Sequence, residues 1–500
     1  MNEHTTEPPV RLPAEPAETV RMAELFGRLA PSFDRYADGH AAGSFPAYVH
    51  GAVPDDGGPL PVSGVGPEGA IDGVGVAVEH GSRISAPGWL SFVTTGATTV
   101  PAAAFAASIV AGGQRYLHQS FNTLEYTGLR WLAELCGLPE GVTGVFSSGG
   151  STSQLLGLGA ARQAAFERRG VNVGEHGVPV GEQGRIYASE VAHRTVHRAG
   201  AVLGIGRQGV RAIPVDGDGR MSVEALDAAI AADIRDGIVP IAVVANAGVT
   251  DTGAVDRIDR VGEVARRHGT WLHVDGAYGL VANAAPSLRH LFAGLEDADS
   301  WMVDPHKWLA TGLGIGAVYV RDEGVLTRAF AEGEAAYLEG SFAPLEVRPV
   351  SQFDTIAGRW ADQSLELTAP PRGVVVWAIL REIGLEGVIA RVERHVGFAR
   401  AVADAAEAHP RLELLMQPQL SIACFRYVPD GGGEPATINE LNRRILERLR
   451  VETHIIPSST QVDGRFAIRP CFINPRTTER EVEALIDFVV RFGDELAARG

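Results

Sequence analysis

Between residues 185 and 320 the chain repeats short apolar runs at intervals: RIYAS (185–189), RAIPV (211–215), PIAVVAN (240–246), TWLHVD (270–275), DSWMVD (299–304) and GAVYV (316–320). Each is rich in β-branched or aromatic residues, and most are separated by helical patterns such as SVEALDAAIAADI and DRIDRVGEVARRHG. Strands alternating with helices close a mainly parallel sheet covered by helices, and such sheets bind ligands at the carboxyl ends of their strands. His273, Asp275 and Lys307 all fall at or just beyond such ends. The expected class is α/β.

The flanks read differently. A helical pattern over about residues 17–37 precedes a Gly/Pro-rich connection at 51–69, and a helix at 122–136 leads into a short strand, GVFS, at 144–147. A long helical stretch from about 374 to 408 is followed by RLELLM, LSIACFRYV, THIIP and GRFAIRPCF, read as strands of a smaller α+β domain with helices at 437–450 and 477–497. At 500 residues the chain exceeds one compact core. The expected division is a flexible tail (1–16), an N-terminal helical segment (17–85), a large domain (86–375) and a small C-terminal domain (376–500).

The formal net charge of −17 argues against a nucleic-acid partner or an anionic membrane surface. Cys136, Cys424 and Cys471 are an odd set without metal-ligand spacing, pointing to buried thiols in a reducing compartment. The polar, acidic start MNEHTTEPPV lacks the pattern of a signal peptide, and the longest apolar stretches are too short to span a bilayer. A cytoplasmic protein is expected.

VDPHKWL (303–309) contains the chain's only lysine, Lys307, among 44 Lys and Arg residues. Arginine keeps its charge at any workable pH, whereas a desolvated lysine can lose its proton and attack a carbonyl. SSGGSTSQLLGLGAAR (147–162) is a Gly-rich turn entering a helix, with Ser151 and Gln154 at capping-box spacing. Free N–H groups there, approached closely at Gly149 and Gly150, suit a phosphate. In HVDGAYG (273–279), Asp275 has three readings: metal ligand, helix cap or partner of a cation. No further His/Cys cluster supports a metal, and none is expected. His193 and His197 sit four apart on an expected helix, without the HExxH of a zinc hydrolase.

A lysine, a carboxylate, a phosphate cradle and an imidazole together are what pyridoxal 5′-phosphate requires. The order GVFSSGGSTSQ, AHRTVHRAG, HVDGAYG, ADSWMVDPHKWL resembles the group II pyridoxal-phosphate decarboxylases, which act on aromatic amino acids, histidine and glutamate. The likeness covers roughly residues 80–480. It implies the aspartate-aminotransferase fold (fold type I) and a homodimer with its sites at the subunit interface.

The resemblance also assigns roles. Lys307 matches the Schiff-base lysine, Asp275 the partner of the pyridine nitrogen, His193 the imidazole stacked on the ring and Ala277 the small residue beside it. Gly150, Ser151 and His306 match phosphate contacts, and Asn246 stands where many relatives have Thr. Tyr337, in AFAEGEAAYLEGS, matches the loop tyrosine that reprotonates the α-carbon, which implies an amine product. Two departures stand out: Asp304 where several relatives have Asn, and Arg372 as the remnant of an RR…K pattern. Phe92, Val93 and Thr94 are expected to line an apolar substrate pocket, with Arg372 or Arg115 as the cations available to an acidic substrate. The expected reaction is decarboxylation of a hydrophobic L-amino acid. The alternatives are decarboxylation-coupled oxidation, carbon–carbon lysis, or a non-catalytic cofactor carrier.

Overall fold

The computed structural model describes residues 20–41, 52–53, 58–113, 119–331, 360 and 362–498. The chain divides into two compact units, Met1–Arg83 and Ile84–Gly500. In the first, helices Met22–Ala41 and Gly66–Glu79 pack together. Arg28 pairs with Asp72, and Glu79 accepts from Ser32 and Arg35. Gly75 lets the two backbones approach, since a Cβ there would lie 2.8 Å from Ser32 Oγ.

The second unit carries two sheets. The strands are β1 (Trp89–Leu90), β2 (Thr143–Ser147), β3 (Gly184–Ser189), β4 (Val210–Ile213), β5 (Val239–Asn246), β6 (Trp271–Asp275), β7 (Ser300–Val303), β8 (Gly316–Val320), β9 (Leu412–Met416), β10 (Cys424–Tyr427), β11 (Ile456–Val462) and β12 (Arg465–Arg469). The larger sheet runs β2-β8-β7-β6-β5-β3-β4, and only β8 is antiparallel to its neighbours. Its central strands are covered on both faces, so they read as continuous apolar runs; β6 and β7 are buried throughout. A His and an Asp inside the buried run Trp271–Asp275 are therefore costly unless they have a task.

The smaller sheet runs β1-β11-β12-β10-β9, antiparallel except where β1 lies parallel to β11 (Trp89↔Ile456, Leu90↔Pro457). Residues 89–90 thus join the smaller sheet from far upstream. Helix Gly373–Ala408 is interrupted at Gly384, whose φ of 62° and ψ of −176° suit a residue without a side chain. The expected single helix is therefore two helices meeting at that glycine.

The larger sheet also fixes where chemistry can occur. Helix Gly150–Glu167 crosses β5, β6, β7 and β8, so its first turn stands at the carboxyl ends of the parallel strands. In register, Asn246 on β5 pairs with Asp275 on β6, which pairs with Met302 on β7. Lys307 follows four residues after β7 ends.

Candidate active site

Gly149 begins the cradle. Its φ of 121° is a conformation that L side chains rarely adopt, and it aims the chain into helix Gly150–Glu167. Gly149 O accepts from Thr152 N (3.0 Å) and Ser153 N (3.1 Å), which leaves the N–H groups of Gly150 and Ser151 as the open donors of the first turn. The expected capping box does not form. The N-cap is Gly149, without a side-chain cap, Ser151 is exposed in the first turn, and the buried Gln154 amide has no hydrogen-bond partner among the described residues. A helix start with open donors is the arrangement an anion needs.

Asp275 ends β6 at 8% exposure, and its Oδ1 accepts from Ala277 N at 3.2 Å. Ala277 O in turn accepts from Asp304 N at 3.1 Å, tying the Asp275 turn to the segment that carries Lys307. Lys307 Nζ lies 3.4 Å from Asp304 Oδ2. His306 Nδ1 donates to Ile315 O at 2.7 Å, which leaves Nε2 facing Asp304 Oδ2 at 3.9 Å.

His193 is not on a helix: it precedes helix Thr195–Val202, so the expected His193–His197 helical pair does not exist. Its Nδ1 accepts from Thr195 N (3.4 Å) and lies 2.9 Å from Thr195 Oγ1, leaving Nε2 to carry the proton of the neutral ring. Desolvation pulls its pKa below the ordinary histidine value; Asp275 opposes, Lys307 reinforces and Asp304 opposes that shift. These charges act on one imidazole, so the four side chains share a site.

Asn246 stands beside Asp275, but its amide nitrogen donates to Asp256 Oδ2 (2.9 Å) and Ser189 Oγ (3.2 Å). Phe92 is 62% exposed at φ 56°, Val93 is buried and Thr94 half-buried. Arg372 is engaged: both terminal nitrogens donate to Glu366 at 2.8 Å, and Nε donates to Gly314 O at 3.1 Å. Tyr337 and Arg115 lie outside the described residues. A cavity of about 640 Å³ lies elsewhere, near the start of β6, lined by Arg168, Trp271, Asp299 and Arg328 among others.

Two features were not foreseen from the sequence. Arg469, 3% exposed, donates to Phe92 O (2.9 Å), Asp251 O (3.0 Å), Ser458 Oγ (3.0 Å) and Thr250 O, and is in no ion pair among the described residues. Trp308, next to Lys307, stacks on Tyr278 (5.1 Å, 9°) and donates to His395 Nδ1 at 3.0 Å. The Tyr278 hydroxyl meets Ser421 Oγ at 2.5 Å and accepts Ser421 N at 2.9 Å, fastening the Asp275 turn to the segment that enters β10. Arg391 donates to Leu309 O at 3.1 Å behind the same lysine.

The donor set fits pyridoxal 5′-phosphate. Lys307 offers an amine to an aldehyde, Asp275 a carboxylate to a pyridinium, and Gly150 and Ser151 open N–H groups to a phosphate. Residues 117–428 match the pyridoxal-dependent decarboxylase conserved domain. An aromatic-L-amino-acid decarboxylase of Bacillus atrophaeus is 30% identical over 374 residues, 75% of this chain and 74% of that protein. An L-2,4-diaminobutyrate decarboxylase of Rhizobium meliloti (strain 1021) is 30% identical over 454 residues, 88% of this chain and 85% of that protein. A crystal structure of Oryza sativa TDC with PLP and tryptamine superposes with a TM-score of 0.84 at 25% identity, covering 96% of this chain and 99% of that one.

Proposed function

Because the chain belongs to the pyridoxal-dependent decarboxylase family and is a pyridoxal-phosphate-dependent carboxy-lyase acting on an amino acid, we propose that it converts a hydrophobic L-amino acid, aliphatic or aromatic, to its amine and carbon dioxide. The observation that carries the site assignment is the grouping of Lys307, Asp275, Asp304 and His193 at the carboxyl ends of β6 and β7. The preference for an apolar substrate is supported by Arg372, whose bidentate pairing with Glu366 removes one of the two cations open to an acidic side chain. The Phe92–Thr94 segment, held to the smaller sheet by Arg469, supplies apolar surface.

The cofactor supplies an electron sink for the pair left on the α-carbon when carbon dioxide departs. Lys307 would hold the cofactor through its aldehyde, and Asp275 would keep the proton on its ring nitrogen. Gly150, Ser151 and His306 would hold its phosphate, and His193 and Ala277 would wall its ring. Fixing these groups in advance is worth more than their individual bonds, because nothing reorganises as charge develops. Burial disfavours the cation of His193, which suits its imidazole to serve as a proton acceptor. By the resemblance of its loop, Tyr337 is proposed as the group that returns a proton to the α-carbon.

The working unit is proposed to be a cytoplasmic homodimer with its sites at the subunit interface. No helix among the described residues is long and apolar enough to cross a membrane. The test is mass-spectrometric product analysis after mixing cofactor-loaded protein with the common L-amino acids. Conversion of a hydrophobic one to its amine is the expected result. Conversion of glutamate or aspartate alone would refute the pocket assignment, and an aldehyde product would refute the role of Tyr337.

A further inference from the structure

We propose that Asp304 is the counter-ion of Lys307 and restrains its Nζ from reacting with electrophiles whenever the lysine is not bonded to the cofactor, which makes Asp304 a positioning residue for the reaction. This rests on the reading of Lys307 given above. Asp304 is 2% exposed, and its recorded ion pairs are with Lys307 Nζ at 3.4 Å and His306 Nε2 at 3.9 Å. A buried carboxylate is tolerated only beside compensating charge or hydrogen bonds. Hydrogen bonds do not supply the compensation: Oδ1 is buried and has no partner among the described residues. Charge does, from Nζ and from the open N–H end of helix Gly150–Glu167.

The backbone around this carboxylate is built from glycines. A Cβ on Gly150 would come within 2.4 Å of Oδ2, and one on Gly316 within 2.7 Å of Oδ1. The main chain completes the geometry, because Lys307 N donates to Asp304 O at 3.0 Å and keeps carboxylate and amine on one turn. Asparagine would occupy the same volume without the charge, so what aspartate adds here is electrostatic. An arginine at 307 would keep its charge under any workable condition. A lysine beside one carboxylate can be held charged or released.

The titratable groups facing the pair are His306, His193, Asp275 and the buried Cys471, on whose thiol Lys307 also acts. Because Lys307 is the only lysine, its chemistry can be read in the full chain without background from others. The probe is an uncharged amine-acylating ester applied at neutral pH to protein stripped of cofactor, with modification of Lys307 followed by peptide mass spectrometry. Asp304→Asn is expected to raise the rate about tenfold, the equivalent of about 1.4 kcal/mol. Asp304→Ser, uncharged and smaller, should do the same. An unchanged acylation rate in either variant, with an unchanged melting profile, would overturn the proposal, since a merely structural role would not raise the rate in a variant that melts as the wild type does. Borohydride reduction and peptide mapping of the wild type separate the two failures. Cofactor recovered away from Lys307 overturns the reading of Lys307 and this proposal together, whereas cofactor on Lys307 with inert Asp304 variants overturns this proposal alone.

Discussion

Gly157→Ala tests whether the floor beneath Asp275 is as tightly built as the geometry implies. Gly157 lies on helix Gly150–Glu167 against β6, and an added Cβ would sit 2.5 Å from His273 Cε1 and 2.8 Å from its Nδ1. The imidazole cannot swing away freely. It is fully buried, and its Nδ1 lies 2.7 Å from Ser300 Oγ, which also accepts from Trp271 Nε1 at 2.7 Å. Replacing glycine by alanine inside a helix favours the fold by about 1 kcal/mol. Against that, overpacking costs roughly 1–3 kcal/mol and an orphaned buried ring nitrogen roughly 1–3 more. The clash wins, with a net loss of about 1–5 kcal/mol. With an unfolding entropy of about 2 cal/mol/K per residue, the unit Ile84–Gly500 responds at roughly 1 kcal/mol per degree, so melting should fall by a few degrees in calorimetry at one scan rate. Because His273 and Asp275 share a face of β6, cofactor retention should fall as well. Gly397→Ala is the control: it is exposed, helical and has nothing within 4 Å of its Cβ position, so it should gain about 0.5–1 kcal/mol. If Gly157→Ala melts at or above the wild type while Gly397→Ala behaves as stated, the packing argument is wrong.

Burial pushes the pKa of His273 down to about 4 and that of His395 to about 3, so both prefer to be neutral in the fold. Unfolded histidines take up protons below about 6.5; the stability these two contribute is present above that value and is lost as pH falls toward 4 and 3, at roughly 1.4 kcal/mol per pH unit for each. His395→Gln should therefore shrink proton uptake on unfolding at pH 5 by about one proton, and an unchanged uptake would show that His395 is not held neutral. Arg372→Gln should cost about 2 kcal/mol through its lost charge-assisted bonds to Glu366 while leaving the ratio of acidic to hydrophobic substrate turnover where it was; a changed ratio in competition assays would make Arg372 a substrate ligand. Tyr337→Phe should shift product from amine toward aldehyde, and an unaltered ratio by mass spectrometry would remove Tyr337 from the proton-return step.

The α/β core was legible because its strands declare themselves locally. GAVYV at 316–320 is β8 to the residue, and RIYAS and PIAVVAN differ from β3 and β5 by one residue at the start. A strand buried on both faces has no alternation to lose and only its ends are ambiguous. The helix ends were harder. The 374–408 run carries an unbroken apolar pattern, so nothing in its periodicity announces Gly384, whose backbone breaks the helix while neighbouring side chains keep packing. His193 misled for the opposite reason: i, i+4 spacing with His197 looks helical, yet its Nδ1 accepts from Thr195 N at the turn that starts the helix. Strand β1 is two residues long and draws its pairing from Ile456 and Pro457, so no local pattern could announce it.

The same division between local and distant explains the site. Lys307, Asp275 and the Gly149–Gly150 turn sit in short motifs whose chemistry is visible in the letters, because a strand end or a helix start is a local event. Arg469 is not visible that way. In sequence it belongs to an ordinary strand, GRFAIRPCF, and its importance comes from acceptors at Phe92, Thr250 and Asp251, some 220 to 380 positions away. Those carbonyls belong to loops, which alone have no reason to adopt one shape. A buried guanidinium with five fixed donors can order several such loops at once, because leaving any donor unmet inside the protein is costly. The segment bearing Phe92, Val93 and Thr94 is thus positioned from the smaller sheet, while Lys307 and Asp275 are positioned from the larger. Tyr278, bonded to Ser421, joins the two sets of restraints three residues after Asp275 on one side and through the Trp308 ring on the other. With the pocket as proposed, a change in the smaller sheet would alter which amino acid is accepted while leaving Lys307 and Asp275 where they are.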